Sequence, residues 1–139
     1  MILTDLSTIR DRLKGARRIA VLGCHSDPSR PAFYVPDYMH RRGYEIVPVN
    51  PALAGGTLFG EPVVATLAGQ TFDSIDVFRR SDLLPAHLSD ILAASAPGTL
   101  IWFQSGVRND PIAQILSDAG HDVVQDRCML ADHRSWGLG

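Results

Sequence analysis

Cysteine is scarce in this sequence: among 139 residues only Cys24 and Cys128 are cysteines. Neither lies in a CxxC or Cys/His pattern, which excludes a disulfide-rich scaffold and a metal centre of the usual ligand spacing. No apolar run approaches the roughly 20 residues that a membrane-spanning helix needs. The start of the chain lacks the basic region and apolar block of an export signal, so we expect a cytoplasmic protein in a reducing compartment.

An excess of positive charge is also missing. Thirteen Lys and Arg residues stand against fifteen Asp and Glu residues, which gives a formal net charge of -2. Because no positive field surrounds the protein, nucleic acid is not an expected partner, and neither is a membrane. Hydrophobic residues make up 45% and charged residues 20%, which excludes disorder and favours one globular domain over residues 1–139.

Five short apolar runs alternate with helical patterns along the chain. The runs lie at residues 17–23, 44–50, 75–78, 100–103 and 121–126. This alternation predicts an α/β fold with a doubly wound, parallel, five-stranded sheet, helices on both faces, and strand order 3-2-1-4-5. Glycine and proline break the periodicity over residues 51–72, which predicts a long loop with one short helical turn.

The predicted topology places the first and fourth strands at the centre, so the loops after Leu22 and Phe103 are expected to line a ligand site. The first of these loops, GCHSDPSRP (residues 23–31), has the chemistry of a phosphate loop. It offers a glycine for close approach, two hydroxyl donors, an arginine fork, and a helix that begins between Pro31 and Pro36. The residues concerned are Gly23, Ser26, Ser29 and Arg30.

An ordinary turn is the alternative interpretation of this loop, because the same residue types form turns. The loop matches neither GxGxxG nor GxxxxGK[ST], so a standard NAD site or a P-loop hydrolase is not supported. His25 is interpreted as a polar loop residue rather than a catalytic base, since the sequence gives it no partner carboxylate or nucleophile.

Six ordered blocks of sequence carry a more specific signal. They are AVLG-x-HSDPSRP-x-x-YVPDYM, GYEIVPVNP, FGEPVVATL, DVFRR, WFQSGVRN and DRCMLADH, and they run over residues 19–138. This combination resembles the small CoA-binding protein family, whose domains are similar to the CoA-binding amino-terminal domain of the succinyl-CoA synthetase alpha subunit. The resemblance implies a Rossmann-like fold that binds CoA or an acyl-CoA across the carboxyl ends of the strands.

The resemblance also implies which residues meet the ligand. The loop 23–30, with His25 in it, is assigned to the CoA pyrophosphate. The remaining assignments are Val49, Asn50 and Pro51 beside the adenosine, Phe78 and Arg79 flanking the same crevice, and Gln104, Ser105 and Gly106 on the pantetheine side. Family members often carry a basic residue after the Asn-Pro pair, but this chain has Ala52, so the ribose 3′-phosphate lacks that partner.

No catalytic or metal-binding residue is predicted. The phosphorylated histidine of the synthetase lies outside its CoA-binding domain, so ligase chemistry is not carried over. Asp126, Cys128, Asp132 and His133 cluster in sequence without a defined catalytic arrangement. Non-catalytic CoA binding is therefore the main hypothesis. The alternatives are a thiol-based redox enzyme or sensor using Cys128 or Cys24, and a nucleotide-sensing interaction module.

Overall fold

The computed structural model describes residues 1–137, so Leu138, the last residue of the stretch that carries the resemblance, lies outside it. The helices are α1 (Leu6–Gly15), α2 (Pro31–Arg41), α3 (Leu84–Ala93), α4 (Asp110–Asp118) and α5 (Met129–Ser135). The strands are β1 (Arg18–Leu22), β2 (Glu45–Val49), β3 (Thr57–Leu58), β4 (Glu61–Pro62), β5 (Phe72–Val77), β6 (Ser95–Phe103) and β7 (Asp122–Val124). Within residues 1–137, no helix has both the length and the apolar character to cross a membrane.

The predicted α/β class is confirmed, because β1, β2, β5, β6 and β7 form one parallel sheet. Helices cover both of its faces. Side chains of α3 and α4 pack with Ile75 and Ile101 on one face, whereas α1, α2 and α5 pack with Val21 and Trp102 on the other. The sheet is therefore buried on both sides, which explains the continuous apolar runs of its strands.

The predicted strand order 3-2-1-4-5 is wrong. The observed order is β2-β1-β5-β6-β7, so the third strand of the sheet lies between the first and the fourth. Pro48 supplies the physical reason. Its carbonyl accepts a hydrogen bond from the N–H of Val64 (3.0 Å) on the outer side of β2, which is the side where its own N–H is missing. A full strand there would lose a ladder bond, so β2 forms the edge and β5 pairs with β1.

The connection between β2 and β5 contains more structure than the predicted loop. The expected helical turn is present as the 3-10 turn Pro51–Leu53, but β3 and β4 add an antiparallel hairpin that the prediction missed. Phe59 and Gly60 form the two-residue hairpin turn with φ values of 54° and 75°. Positive φ at both positions is what the common type I′ hairpin turn requires. Phe59 tolerates this conformation because it is buried and packs against Phe33, with ring centroids 5.3 Å apart.

Candidate functional site

A cleft of about 750 Å³ opens at the carboxyl ends of β1, β5 and β6, beside the amino terminus of α2. Nine of the residues predicted from the sequence line it, namely Gly23, His25, Arg30, Asn50, Phe78, Arg79, Gln104, Ser105 and Gly106. The predicted phosphate loop and the loop after the fourth strand of the sheet thus face the same space. The strand between them, β5, contributes Phe78 and Arg79 from its own end.

Four predicted residues do not line this cleft. Ser26 and Pro51 are exposed outside it. Val49 is fully buried, and its carbonyl accepts the N–H of Gly23 (2.9 Å). The Ser29 hydroxyl donates to Oδ1 of Asp27 (2.8 Å), so this hydroxyl shapes the loop. A ligand contact through any of these four residues stays a prediction.

Gly23 is required by the protein itself. Its φ is +86°, a conformation that side chains rarely adopt. A Cβ atom there would lie 2.7 Å from the carbonyl oxygen of Phe78 and 3.1 Å from Nε of Arg79. Substitution of Gly23 would therefore disturb the ends of β1 and β5 before any ligand arrives.

The amino terminus of α2 faces the cleft without a side-chain cap. Arg30 occupies the N-cap position and makes no capping bond, while Pro31 has no N–H. Among residues 1–137, no acceptor is bonded to the N–H of Ala32, which lines the cleft. Because a helix amino terminus carries partial positive charge, these features favour an anion at this point.

Pro36, inside α2, leaves a helix carbonyl free to bond to the predicted phosphate loop. α2 begins at Pro31, so Pro36 lies inside the helix, where its missing N–H leaves the carbonyl of Ala32 without the usual helical partner. That carbonyl accepts instead from the N–H of His25 (3.2 Å). A proline that weakens the helix thereby secures the loop against the helix amino terminus.

Side chains within the loop fix its shape further. Oδ1 of Asp27 accepts from the N–H of Ser29 (3.0 Å) as well as from its hydroxyl, and these bonds lower the pKa of Asp27 below its usual value. Nδ1 of His25 accepts from the N–H of Asp27 (2.9 Å), so a neutral His25 ring carries its proton on Nε2. His25 is exposed at the cleft, where it can act as a hydrogen-bond donor.

Asn50 ties two loops together beneath the cleft. Its Nδ2 donates to the carbonyl of Cys24 (2.8 Å), and its Oδ1 accepts from the N–H of Ala52 (2.9 Å). Both ends of the amide are thus engaged within the protein. Asn50 holds the end of β1 against the turn after β2, and it lines the cleft from that position.

Arg79 places an unused donor in the cleft. Its side chain lies against Gly23, and its Nε is buried with no hydrogen-bond partner among residues 1–137. A buried donor without an acceptor costs about 1 to 3 kcal/mol, so an acceptor supplied by a ligand would remove that cost. By contrast, the neighbouring Arg80 is exposed and pairs with Asp82 (3.3 Å).

The loop after β6 offers fewer free groups than its sequence suggests. The N–H of Gly106 donates to Oδ1 of Asp126 (2.7 Å), so it is not free for a ligand. Gln104 is 3% exposed, and its Oε1 accepts from the N–H of Met129 (3.4 Å). Its amide nitrogen has no hydrogen-bond partner in the part of the chain that the structure describes, and the residue lines the cleft.

Both cysteines line the cleft as free thiols. Cys24 is fully buried, and burial raises the pKa of its thiol to about 11, so it is protonated at neutral pH. Cys128 is half-buried at the amino end of α5. The thiolate is the reactive form of cysteine, so the state of Cys24 argues against its use as a nucleophile.

The acidic and histidine side chains near Cys128 are bonded to other partners. Asp132 binds Arg127 through two contacts (2.6 and 2.8 Å). His133 lies away from the cleft, 3.0 Å from the hydroxyl of Tyr38. Within residues 1–137, no group of three or more His, Cys, Asp or Glu side chains is arranged to hold a metal ion.

Seven further residues line the cleft and were not predicted as ligand contacts. They are Cys24, Pro31, Ala32, Tyr34, Arg80, Val107 and Cys128. Tyr34 is 44% exposed, which is unusual for a large aromatic side chain. Its position three residues after Pro31, on the same face of α2, was the signal available in the sequence. Cys128 had no comparable local signal, because its place depends on the path of the chain after β7.

These features define a doubly wound α/β domain with a cleft at the carboxyl ends of its strands, beside the uncapped amino terminus of α2. The family model described as CoA binding domain matches residues 17–134, so the chain belongs to the CoA-binding domain family. This confirms the resemblance seen in the sequence. The ligand for which that family is described is CoA.

Relatives in three organisms are similar over nearly their whole length. The uncharacterized protein YneT of Bacillus subtilis (strain 168) is 35% identical over 127 residues, which cover 90% of this chain and 91% of YneT. The solved structure of cell-free ID.343 from Thermus thermophilus is 43% identical in sequence, with a TM-score of 0.89, and the match covers 98% of this chain and 100% of that one. A hypothetical protein from Pyrococcus horikoshii OT3 is 25% identical, with a TM-score of 0.85 and coverage of 95% and 92%.

Proposed function

We propose that this protein binds CoA or an acyl-CoA in the cleft and catalyses no reaction on it. One observation carries the proposal: the uncapped amino terminus of α2 faces Gly23 across a cleft in a domain of the CoA-binding family. A pyrophosphate is the anion in CoA that suits such a site, because the unbonded N–H of Ala32, the partial positive charge of the helix amino terminus and the Arg30 side chain can meet its oxygens.

The rest of the cleft supports one orientation of the ligand. With the pyrophosphate at the loop 23–30, the adenosine end lies towards Asn50 at the edge strand β2. The pantetheine arm then crosses the ends of β5 and β6, past Phe78 and Gln104. Arg79 sits where these parts meet, and its buried Nε can donate to a phosphate oxygen.

Arg30 provides the sharpest test of this placement. It lies at the N-cap of α2, lines the cleft, and makes no ion pair among the described residues. Arg30→Ala should weaken CoA binding by about 1.5 kcal/mol, roughly tenfold in Kd, because it removes a charge-assisted contact to the phosphate. The loss is no larger because water screens an exposed contact of this kind. The measurement is isothermal titration calorimetry with CoA, acetyl-CoA, dephospho-CoA, NAD and ATP.

Arg41→Ala is the matched control. Arg41 is at the other end of the same helix, pairs with Asp37 (3.1 Å), and does not line the cleft. It should bind CoA as the wild type does. Equal affinities of the two variants would contradict the placement, and tighter binding of NAD or ATP than of CoA would contradict the ligand. Intact acetyl-CoA after prolonged incubation, followed by chromatography, is expected if the protein is not an enzyme.

A further inference from the structure

Cys128 is held at the far end of the cleft by a well-connected segment. Asp126 has φ of +56° and accepts from the N–H of Gly106, which ties the segment to the loop after β6. The N–H of Arg127 donates to the carbonyl of Phe103 (3.3 Å), and its carbonyl accepts from Nε1 of Trp102 (2.8 Å). These contacts position Cys128 at the wall of the cleft, next to the end of β6.

The distance along the sheet matches the length of a pantetheine arm. Between β1, where the pyrophosphate is proposed, and β7, which precedes Cys128, lie three strand spacings. At about 4.8 Å each they amount to roughly 14 Å. The pantetheine arm has the chain length of four to five extended residues, roughly 15 Å. A CoA molecule anchored at Gly23 can therefore bring its sulfur to the end of the sheet where Cys128 lies.

A second group points to a ligand in the same place. Gln104 is nine-tenths buried and lines the cleft between the phosphate loop and Cys128, while its amide nitrogen has no partner within residues 1–137. This donor suits a carbonyl oxygen of the pantetheine arm. The other cleft cysteine, Cys24, packs in the core beside Val35 and Val21 and is protonated at neutral pH. The thiol open to reaction is therefore Cys128.

We propose that Cys128 forms a mixed disulfide with CoA by exchange with CoA disulfide. The inference rests on the proposed function, since the cleft must first bind the CoA moiety. The Cys128 thiolate attacks one sulfur of CoA disulfide, the sulfur–sulfur bond of that molecule breaks, and a Cys128–CoA disulfide forms. The second CoA leaves as a thiolate and takes up a proton from water, so CoA disulfide is the only oxidant needed. Excess dithiol reverses the step and releases CoA.

The test treats reduced protein with CoA disulfide and measures the intact mass and the modified peptide. The wild type should gain one CoA, less two hydrogens overall, at Cys128. It should react about tenfold or more faster with CoA disulfide than with oxidised glutathione, because the cleft holds the reactive sulfur near Cys128. Cys24→Ala should still form the adduct, whereas Cys128→Ser, checked for folding by circular dichroism, should not.

Different failures identify different errors. Calorimetric binding of CoA to the wild type without any adduct would overturn this inference and leave the proposed function intact. An adduct on Cys24, or equal rates with both disulfides, would also overturn it, because the cleft would not direct the exchange. Absence of both CoA binding and adduct would overturn the proposed function itself. If Cys128→Ser does not fold, the modified peptide of the wild type and the ratio of the two rates still decide the matter.

Discussion

Asp76 is a carboxyl group in the middle of an apolar sheet. It lies in β5 between Val21 of β1 and Trp102 of β6, and it is 1% exposed. Its Oδ1 has no hydrogen-bond partner among the described residues. Burial raises the pKa of Asp76 well above its usual range, because the charged form loses its hydration. Burial therefore favours the neutral, protonated form of this side chain more than it is favoured in an exposed Asp.

This carboxyl makes the stability of the protein dependent on pH. The folded state keeps the proton more tightly than the unfolded state, whose Asp pKa is about 3.9. The stabilisation is complete below that value and is lost as pH rises through the raised pKa, at up to about 1.4 kcal/mol per pH unit. Asp76→Asn should flatten this decline. Chemical unfolding of both proteins at several pH values measures it, and parallel stability curves would contradict the assignment.

Ala52 determines what the adenosine end of the cleft can recognise. It is exposed in the turn after β2, beside the Asn50 side chain that receives its N–H. No charge is available at this position for a ribose 3′-phosphate. We therefore expect the wild type to discriminate weakly between CoA and dephospho-CoA, which differ only in that phosphate.

Ala52→Lys should improve CoA binding without improving dephospho-CoA binding. The gain should decrease at high salt, because an exposed ion pair is screened. Calorimetry with the two ligands at low and high salt measures both effects. A strong wild-type preference for CoA would indicate that Arg79 already contacts the 3′-phosphate. Equal effects of the substitution on the two ligands would show that the adenosine end lies elsewhere.

The connection between β1 and α2 is organised before any ligand binds. Asp27 accepts two bonds from Ser29, while the Ala32 carbonyl, left without a helical partner by Pro36, accepts the N–H of His25. A loop fixed in this way loses little conformational entropy on binding, which favours affinity.

Asp27→Ala removes one of these constraints without touching the cleft lining. We expect CoA affinity to fall several-fold, with a less favourable binding entropy and little change in the unfolding temperature. Calorimetry and thermal unfolding measure the two quantities. Ser26→Ala is the control, since Ser26 is exposed beside the same turn and does not line the cleft. An equal loss of affinity in both variants would argue against loop organisation as the cause.

The fold was predictable wherever local pattern decides it. Apolar runs and helix signals gave the five strands and the helices on both faces, because each depends on neighbouring residues. The strand order depended on which edge of β2 remained available. Pro48 carried that information, because its missing N–H deprives the outer edge of one ladder hydrogen bond. The β3–β4 hairpin escaped prediction because its turn uses Phe59, a residue type that rarely adopts a positive φ and that is buried here against Phe33.

The candidate site, like the fold, was predictable where residues close together in sequence determine it. Gly23 and Arg30 belong to one contiguous loop after β1, so their residue types and order were enough to predict that they line the cleft. Tyr34 and Cys128 reach it through the rotation of α2 and the path after β7, which are tertiary properties. Gly106 was predicted correctly to line the cleft, but its N–H is not free for a ligand. It donates to Asp126, a residue twenty positions away, which the local sequence could not indicate. Sequence pattern located the loops but not which of their polar groups remain free.

Other backbone segments of the chain form hydrogen bonds with both edge strands of the parallel sheet. On the β2 side Val64 exchanges hydrogen bonds with Pro48 and Asn50, and on the β7 side Val123 donates to the carbonyl of Met1 and accepts from Leu3. An unpaired edge strand is the usual template on which a second protein molecule adds a strand, and this addition begins aggregation. Here a backbone bridge to Val64 shortens the open edge of β2, and a bridge to Ile2 shortens that of β7. Concentrated solutions held below the unfolding temperature should therefore develop little intermolecular β-sheet signal in infrared spectra.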